Sequence, residues 1–373
     1  MNERGRIMKT TENIIPMIAT HPGEILLDEI LANDVSQSDF AKQIGYKRSQ
    51  LNEIIKGKRN VNAELALLLE KALGVDAEYW LEVQKNYDLD KARINQKNQK
   101  RLEAIEQWKL IKSHIAISFF KKENIIIGDP IEDIPVIKNI YNVKSFEELA
   151  SINAQQTYAR FRKSTKLKVD HINIIGWVKL VHYKATQIVV KRFDYDEKDE
   201  LLNKLRFILW ENSDTLNKVE NTFADFGIKL IYQEKGDKTP VDGITFWSDG
   251  SPAIGISLRH KRLDYFAFTL FHELGHVFEH LLNNNNAEFV DLINEDQNYK
   301  NSKEEKEADS FAQTHLIQQL KWEEFFKNHQ RFTDTIIEDF ANENEVHPCI
   351  VRGRLCHTLD FYKAKTRIDY SIY

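Results

Sequence analysis

From His21 to Leu89, apolar residues recur at spacings of three and four, and the run breaks into PGEILLDEILAN, SQSDFAKQIG, KRSQLNEIIKG, NAELALLLEKALG and DAEYWLEVQKNYDL. That period predicts helices rather than strands. Ser36 followed three residues later by Asp39 predicts a capped helix start, and Gly45, Gly57 and Gly74 stand where helices should stop. From Leu89 to His114 the chain is densely charged with sparse apolar positions, the pattern of an exposed connecting helix. Between Ile115 and Leu201, apolar helical segments are separated by loops around Gly128 and Ser164, and no motif there assigns chemistry.

After Ile228 the pattern shortens to that of strands, in IKLIYQE, GITFWSD and PAIGISL, with Gly and Asp at the turns. A long helix follows from about Asp264 to Leu282, with Phe268, Phe271, Leu274, Phe278 and Leu281 at helical spacing, and the Asn-rich tract from Asn283 to Asn286 ends it. KEEKEADSFAQTHL predicts a further helix whose buried face is Ala308, Phe311, Ala312 and Leu316. The expected architecture is α+β and mostly α. It comprises an all-α domain over residues 15–90, a charged helical linker or subdomain over 91–145, and a domain over 146–373 with a small sheet, a long helix and a C-terminal helical segment.

A chain of 373 residues exceeds one ordinary core, which agrees with that division. No apolar run approaches the length of a bilayer span, so no membrane role is expected. The N-terminus lacks the apolar stretch and cleavage site of a secretory signal, and the expected location is the cytoplasm. A net charge of −5 argues against coating nucleic acid over the whole surface, but Lys42, Lys47, Arg48, Lys56, Lys58 and Arg59 cluster against the single acid Glu53. Cys349 and Cys356, seven apart in one apolar segment, are expected to be buried free thiols rather than ligands of a structural zinc with His357, which would need four ligands in tighter pairs.

The basic cluster falls in a segment with the layout of a helix-turn-helix: a capped first helix, Gly45 at the turn, and a second helix with Leu51, Ile54 and Ile55 inward. Its outward stripe is Ser49, Asn52, Glu53 and Lys56, with Arg48 and Gln50 on the first turn, where a recognition helix meets base edges. Lys47, Lys58 and Arg59 suit phosphates. The bland alternative is a helical bundle with a solvated basic face. HPGEILLDEI, the helix pair and GVDAEYWLEVQKNYDL together resemble HigA-type antitoxins of the lambda-repressor-like class, over about His21 to Leu89. The resemblance implies binding to operator DNA as a homodimer. Lys47 departs from it, standing where a capping Ser is common.

In HELGH, His272 and His276 are four apart, so on a helix they project from one face and can share a metal ion. Glu273 beside them can face the attacking water as a general base without being a ligand, the arrangement of zinc hydrolysis. A catalytic zinc takes three protein ligands. The third is expected from the KEEKEADSFAQTHL helix: Glu307, at the edge of its buried face one turn before Phe311, with Glu304 as fallback; spacing alone does not separate them. His280 lies eight residues from His272, a rise of about 12 Å on a straight helix, too far to join them on one ion. Arg354 and His347 are candidates for stabilising an oxyanion, and PAIGISL stands where zincins offer an edge strand to a peptide.

FTLFHELGHVFEH followed by EADSFA resembles the ImmA/IrrE metallopeptidase family, and ISLRHKRLDYFAF and HPCIVRGRLCH resemble forms of it fused to an antitoxin-like domain. The resemblance spans roughly Phe223 to His357. It implies a zincin-like domain with His272, His276 and Glu307 as zinc ligands and Glu273 as base. Leu316, Ile317 and Gln318 depart from the family's Leu-x-Pro. The expected function is an antitoxin-type transcription regulator fused to a zinc endopeptidase that hydrolyses a repressor, a toxin partner or itself. The alternative is a DNA-binding antitoxin with a vestigial, non-proteolytic zinc site.

Overall fold

The predicted helical segments form helices α1 (Pro22–Ala32), α2 (Gln37–Gln43), α3 (Arg48–Ile55), α4 (Ala63–Leu73) and α5 (Ala77–Ile94). The computed structural model describes residues 18–152, 171–258, 260–292, 302–359 and 362–373. Residues 15–17 of the expected first domain and the loop expected around Ser164 lie outside them. Ser36 caps α2 by accepting the Asp39 N–H at 3.2 Å, while its hydroxyl donates to Asp39 Oδ2 at 2.7 Å. Gly45 then turns the chain at φ +75°, a conformation that only a residue without Cβ adopts freely. Leu26, Ile30, Phe40, Leu51, Ile54 and Trp80 meet in one buried core.

The contact between α1 and the end of α3 is tight: a Cβ on Gly23 would fall 2.0 Å from the Ile54 carbonyl oxygen. His21 fixes the start of α1. Its Nδ1 accepts the Gly23 N–H at 2.9 Å, and its ring meets Tyr87 edge-on at 4.6 Å.

Two compact units divide between Glu106 and Gln107, inside the segment expected as a charged linker. Helix α6 (Gln96–Ile111) crosses the division, and α7 (Ile117–Lys122), α8 (Pro130–Tyr141) and α9 (Phe146–Ile152) follow. Phe119, Phe120, Ile137 and Tyr141 are buried, so α7 and α8 build core, whereas α6 buries only Ile111.

Helices α10 (His171–Ala185), α11 (Lys198–Glu211) and α12 (Thr215–Asp225) precede strands β1 (Lys229–Tyr232), β2 (Val241–Ser248) and β3 (Ser251–Ile256). Helix α13 (Leu263–Gly275) runs on through a π-helical turn, His276–Leu281, and β4 (Glu288–Leu292) returns to the sheet. The rest is helical: α14 (Lys303–Leu316), α15 (Gln319–Asn328), α16 (Asp334–Glu343) and α17 (Pro348–Leu359). The chain is α+β and mostly α, as its pattern predicts.

The sheet order is β1-β3-β2-β4, parallel between β1 and β3 and antiparallel at the other two pairings. The strand PAIGISL, expected at an edge, is therefore interior, because β1 and β2 cover both its sides. The missed strand β4 ends the sheet among the described residues; with two acids in five positions, EFVDL gives a weak strand signal. Alternation sorts the faces of the sheet. Gly255 packs against Val181 of α10, whereas Ile254 and Ile256 join Leu263, Phe266 and Leu270 of α13 in the main core. No described helix is long and apolar enough to cross a membrane.

His21 generates a pH dependence. Burial depresses its pKa below the ordinary imidazole value against the opposing pull of Asp88 and Glu24, and a proton on Nδ1 would abolish the cap. The neutral ring's stabilisation is present above the unfolded pKa and is lost as pH falls through the depressed folded value. Hydrogen-exchange protection of α1, corrected for intrinsic rates, is expected to drop between about pH 7.5 and pH 5 in the wild type. His21→Asn, which keeps a short capping acceptor, should show a flatter profile. Identical profiles for the two proteins would remove the assignment.

Candidate functional site

Small residues let α13 and α14 cross closely: a Cβ on Gly275 would lie 2.9 Å from Ala308 Cα. One turn apart on α13, His272 and His276 are 4% and 1% exposed, and their Nε2 atoms stand 3.1 Å apart. From α14, the Glu305 carboxylate, on a side chain only 6% exposed as a residue, reaches 3.4 Å from His272 Nε2 and 3.5 Å from His276 Nε2. Among the described residues this is the one group of three His, Cys, Asp or Glu side chains that converges as a metal site would.

The donor set fits zinc. Bonds of 2.0–2.1 Å at the tetrahedral angle place two nitrogens about 3.3–3.4 Å apart, close to the separation found here, and three protein ligands leave one position open. Glu305 Oε1 is buried without a hydrogen-bond partner, a costly arrangement that a cation would relieve.

Outer contacts orient the rings, as metal-binding histidines require. His272 Nδ1 lies 2.9 Å from Asp309 Oδ1, and His276 Nδ1 lies 3.1 Å from His280 Nδ1. His276 also stacks on Phe289 of β4 at 4.4 Å. Burial opposes a charge on His272, but the Asp309 and Glu305 carboxylates prevail and raise its pKa well above the ordinary value.

Glu307, expected as the third ligand, is not brought to this group. It is exposed on α14, 3.2 Å from His280 Nε2 and 3.6 Å from Lys303 Nζ, and Glu304 is exposed as well. The reason is helical phase. The inward stripe of α14 steps through Glu305, Ala308, Ala312 and Leu316 at intervals of three and four, and Glu307 is turned about 100° from Ala308. Stepping back one turn from Phe311, at the margin of that stripe, leads to Glu307, which faces outward. Stepping back seven from Ala312 leads to Glu305.

Glu273 is fully buried. Thr245 of β2 donates from Oγ1 to Glu273 Oε2, and Oε1 has no hydrogen-bond partner. Gly243 makes room for it, since a Cβ there would stand 2.0 Å from Glu273 Oε1. Burial pushes the carboxyl up to about 8, a range suited to taking and returning a proton near neutral pH.

Beside His272 lies a cleft of about 260 Å³, walled by Tyr265 and Phe268 of α13, Leu316 of α14 and Ile350 and Arg354 of α17. The Arg354 guanidinium donates to the carbonyls of Gln313 and Ile317 and to Gln319 Oε1, and covers the Trp322 ring at 4.4 Å. It ties α17 to the end of α14. His347 accepts the Cys349 N–H at 3.3 Å at the start of α17 and does not line the cleft. Cys349 and Cys356 are buried and free.

In the N-terminal unit, α3 turns Leu51 and Ile54 into the core and leaves Lys47, Arg48, Ser49 and Lys56 exposed, with Lys58 and Arg59 exposed just beyond. Gln50 and Asn52 are half-buried. Gln50 Oε1 accepts the Lys47 N–H at 2.9 Å, the half of a capping box that runs from the first turn back to the helix start.

The helix-turn-helix family matches residues 28–80, and an IrrE N-terminal-like domain matches residues 223–348. Virulence-associated protein I of Dichelobacter nodosus is 41% identical over 85 residues, covering 21% of this chain and 79% of that protein. The uncharacterized HTH-type transcriptional regulator YbaQ of Escherichia coli K12 is 31% identical over 88 residues, covering 23% of this chain and 78% of that protein. A solved HigA-family addiction module antidote protein from Coxiella burnetii is 34% identical, covering 23% of this chain and 94% of that one, with a TM-score of 0.22. Pseudomonas aeruginosa antitoxin HigA, solved with the higBA promoter, is 29% identical, covering 22% of this chain and 90% of that one, with a TM-score of 0.21.

The ligand geometry separates the two glutamates experimentally. Zinc content by elemental mass spectrometry is expected to be lost in Glu305→Ala and to stay stoichiometric at zinc excess in Glu307→Ala. The reverse result would restore Glu307.

Proposed function

Because the chain belongs to the helix-turn-helix family through its first domain and carries an IrrE N-terminal-like domain in its second, we propose that it is an antitoxin-type transcription regulator with a zinc endopeptidase. The peptidase acts on a repressor, a toxin partner or the chain itself. The observation that carries this reading is the convergence of His272, His276 and Glu305 beside a fully buried Glu273.

The ligands are Nε2 of both histidines and the Glu305 carboxylate. Zinc held there would supply Lewis acidity toward a peptide carbonyl and a water. Glu273 handles the proton. With Oε2 held by Thr245, Oε1 takes a proton from the water whose oxygen bonds to the carbonyl carbon, and passes it to the amide nitrogen as the C–N bond breaks. One water is consumed, and a carboxylic acid and an amine are released. Asp309 fixes the His272 ring so that Nε2 keeps its lone pair toward the site.

The first domain binds operator DNA in the cytoplasm as a homodimer. Arg48, Ser49, Gln50, Asn52 and Lys56 face base edges, and Lys47, Lys58 and Arg59 face phosphates. Basic residues outnumber acids on this surface while the whole chain is acidic, which supports a local rather than a general affinity for nucleic acid.

Two measurements test the two halves separately. In a titration against the chain's own promoter at fixed salt, Arg48→Ala is expected to weaken binding by a factor of five to over one hundred, from about 1–3 kcal/mol per base-reading contact. Unchanged affinity would remove Arg48 from the interface. Glu273→Gln should keep zinc, fold and DNA binding while peptide hydrolysis falls at least about a hundredfold. Cleavage is followed by mass spectrometry on candidate repressors, a neighbouring toxin and the chain itself. Undiminished cleavage by Glu273→Gln would exclude it as the base, and no cleavage of any of them by the zinc-loaded wild type would favour a regulator with a non-proteolytic zinc site.

A further inference from the structure

The exposed face of α3 carries one acid among its cations, and the operator reading above gives it no task. Glu53 is exposed and lies near the middle of the face that looks away from the core. With each residue turning the helix by about 100°, Ser49, Glu53 and Lys56 fall within about 60° of one another, opposite the buried Leu51 and Ile54. The end of the helix fixes the Glu53 backbone. Gly57 turns the chain at φ +67°, and the N–H groups of Lys58 and Arg59 both return to the Glu53 carbonyl, at 2.8 and 3.2 Å.

Lys56, Lys58 and Arg59 therefore stem from the same helix end as Glu53. Even so, the Glu53 carboxylate forms no ion pair or side-chain hydrogen bond among the described residues. An acid so placed works against binding to DNA in general, because it repels phosphates wherever this face docks and loses its water on the way in. Only a donor in the groove offsets that cost. The bases offer two in the major groove, the N6 amine of adenine and the N4 amine of cytosine, whereas guanine presents acceptors and thymine an acceptor and a methyl group.

The two amines differ in their neighbours. Adenine N6 stands next to the N7 lone pair, which suits an amide, whose nitrogen and oxygen meet both, and repels the second oxygen of a carboxylate. Cytosine N4 has only a C–H beside it. A carboxylate thus fits cytosine, and an amide fits adenine.

Resting on the operator reading above, we infer that Glu53 reads base identity: it accepts a hydrogen bond from the N4 amine of a cytosine in the major groove. Thymine and guanine at that position are rejected by repulsion between lone pairs. The cations of this face supply affinity for any duplex, and Glu53 makes that affinity conditional on sequence.

The test uses the full chain and its Glu53→Gln and Glu53→Ala variants, each shown to be folded by thermal melting. All three are put through binding selection from a pool of duplexes with a randomised core, and the enriched duplexes are sequenced. The wild type is expected to enrich a C·G pair at one position of the recognised sequence. Glu53→Gln should shift that position toward A·T, and Glu53→Ala should leave it without preference, the other positions being unchanged. On the selected duplex at fixed salt, exchanging that C·G pair for T·A should weaken the wild type at least about fivefold and Glu53→Ala by about twofold or less. On a duplex of unselected sequence, Glu53→Ala should bind more tightly than the wild type. Identical base preferences in all three proteins, or a Glu53-dependent position where the wild type selects A·T, would overturn the cytosine contact and leave the operator reading standing. Enrichment of no sequence by the folded wild type would overturn the operator reading and the contact with it.

Discussion

The site depends on how closely two helices cross. Gly275 lies between His272 and His276 on α13 and faces Ala308 of α14, with Phe311 Cβ also within 3.2 Å of where a Cβ would stand. Any side chain at Gly275 would push the helices apart and carry Glu305 away from the histidines. A separation on the scale of one methyl group would undo the convergence of Glu305 with His272 and His276. The glycine in HELGH is therefore as much a distance constraint as the residues that flank it are chemistry.

A second close approach sets Glu273 in place. Residues of β2 alternate: Gly243 and Thr245 face Glu273, while Ile244 and Phe246 face Gly255 and His182 on the α10 side. One strand thus makes room for the carboxylate with a missing side chain and holds it with a hydroxyl two residues later. Helix α10, from the stretch whose sequence carries no chemical motif, backs this arrangement; its Trp177 donates to the Gln233 carbonyl at 3.0 Å, just past β1.

Much of this was legible in the sequence, and the exceptions share a cause. Periodicity located the N-terminal helices, the strands β1 to β3 and the α13 helix, because each buries one face against its own neighbours and so carries its own pattern. HELGH marked His272, Glu273 and His276 as a cluster because their spacing is local. Glu305 required the phase of α14, which Phe311 obscures by packing at the margin of the buried stripe while Ala308 and Ala312 lie at its centre. Gly243 and Thr245 reach Glu273 through strand placement, which links residues far apart in the chain and leaves no trace in local spacing. The same holds for β4, whose place beside β2 makes a strand of five residues with little pattern of their own.

The π-helical turn at His276–Leu281 brings His280 Nδ1 to 3.1 Å from His276 Nδ1, and His280 Nε2 to 3.2 Å from Glu307 Oε2. Two facing Nδ1 atoms hold one proton between them. If His276 is to keep its Nε2 lone pair, that proton belongs to His276, so His280 accepts on Nδ1 and must carry its own proton on Nε2 toward Glu307. In that arrangement the tautomers of the two rings are set in sequence from the solvent-exposed carboxylate inward. Glu307, which stands outside the His272, His276 and Glu305 group, is thus linked to it through His280, and an exposed charge communicates with a buried ring by way of two ring nitrogens.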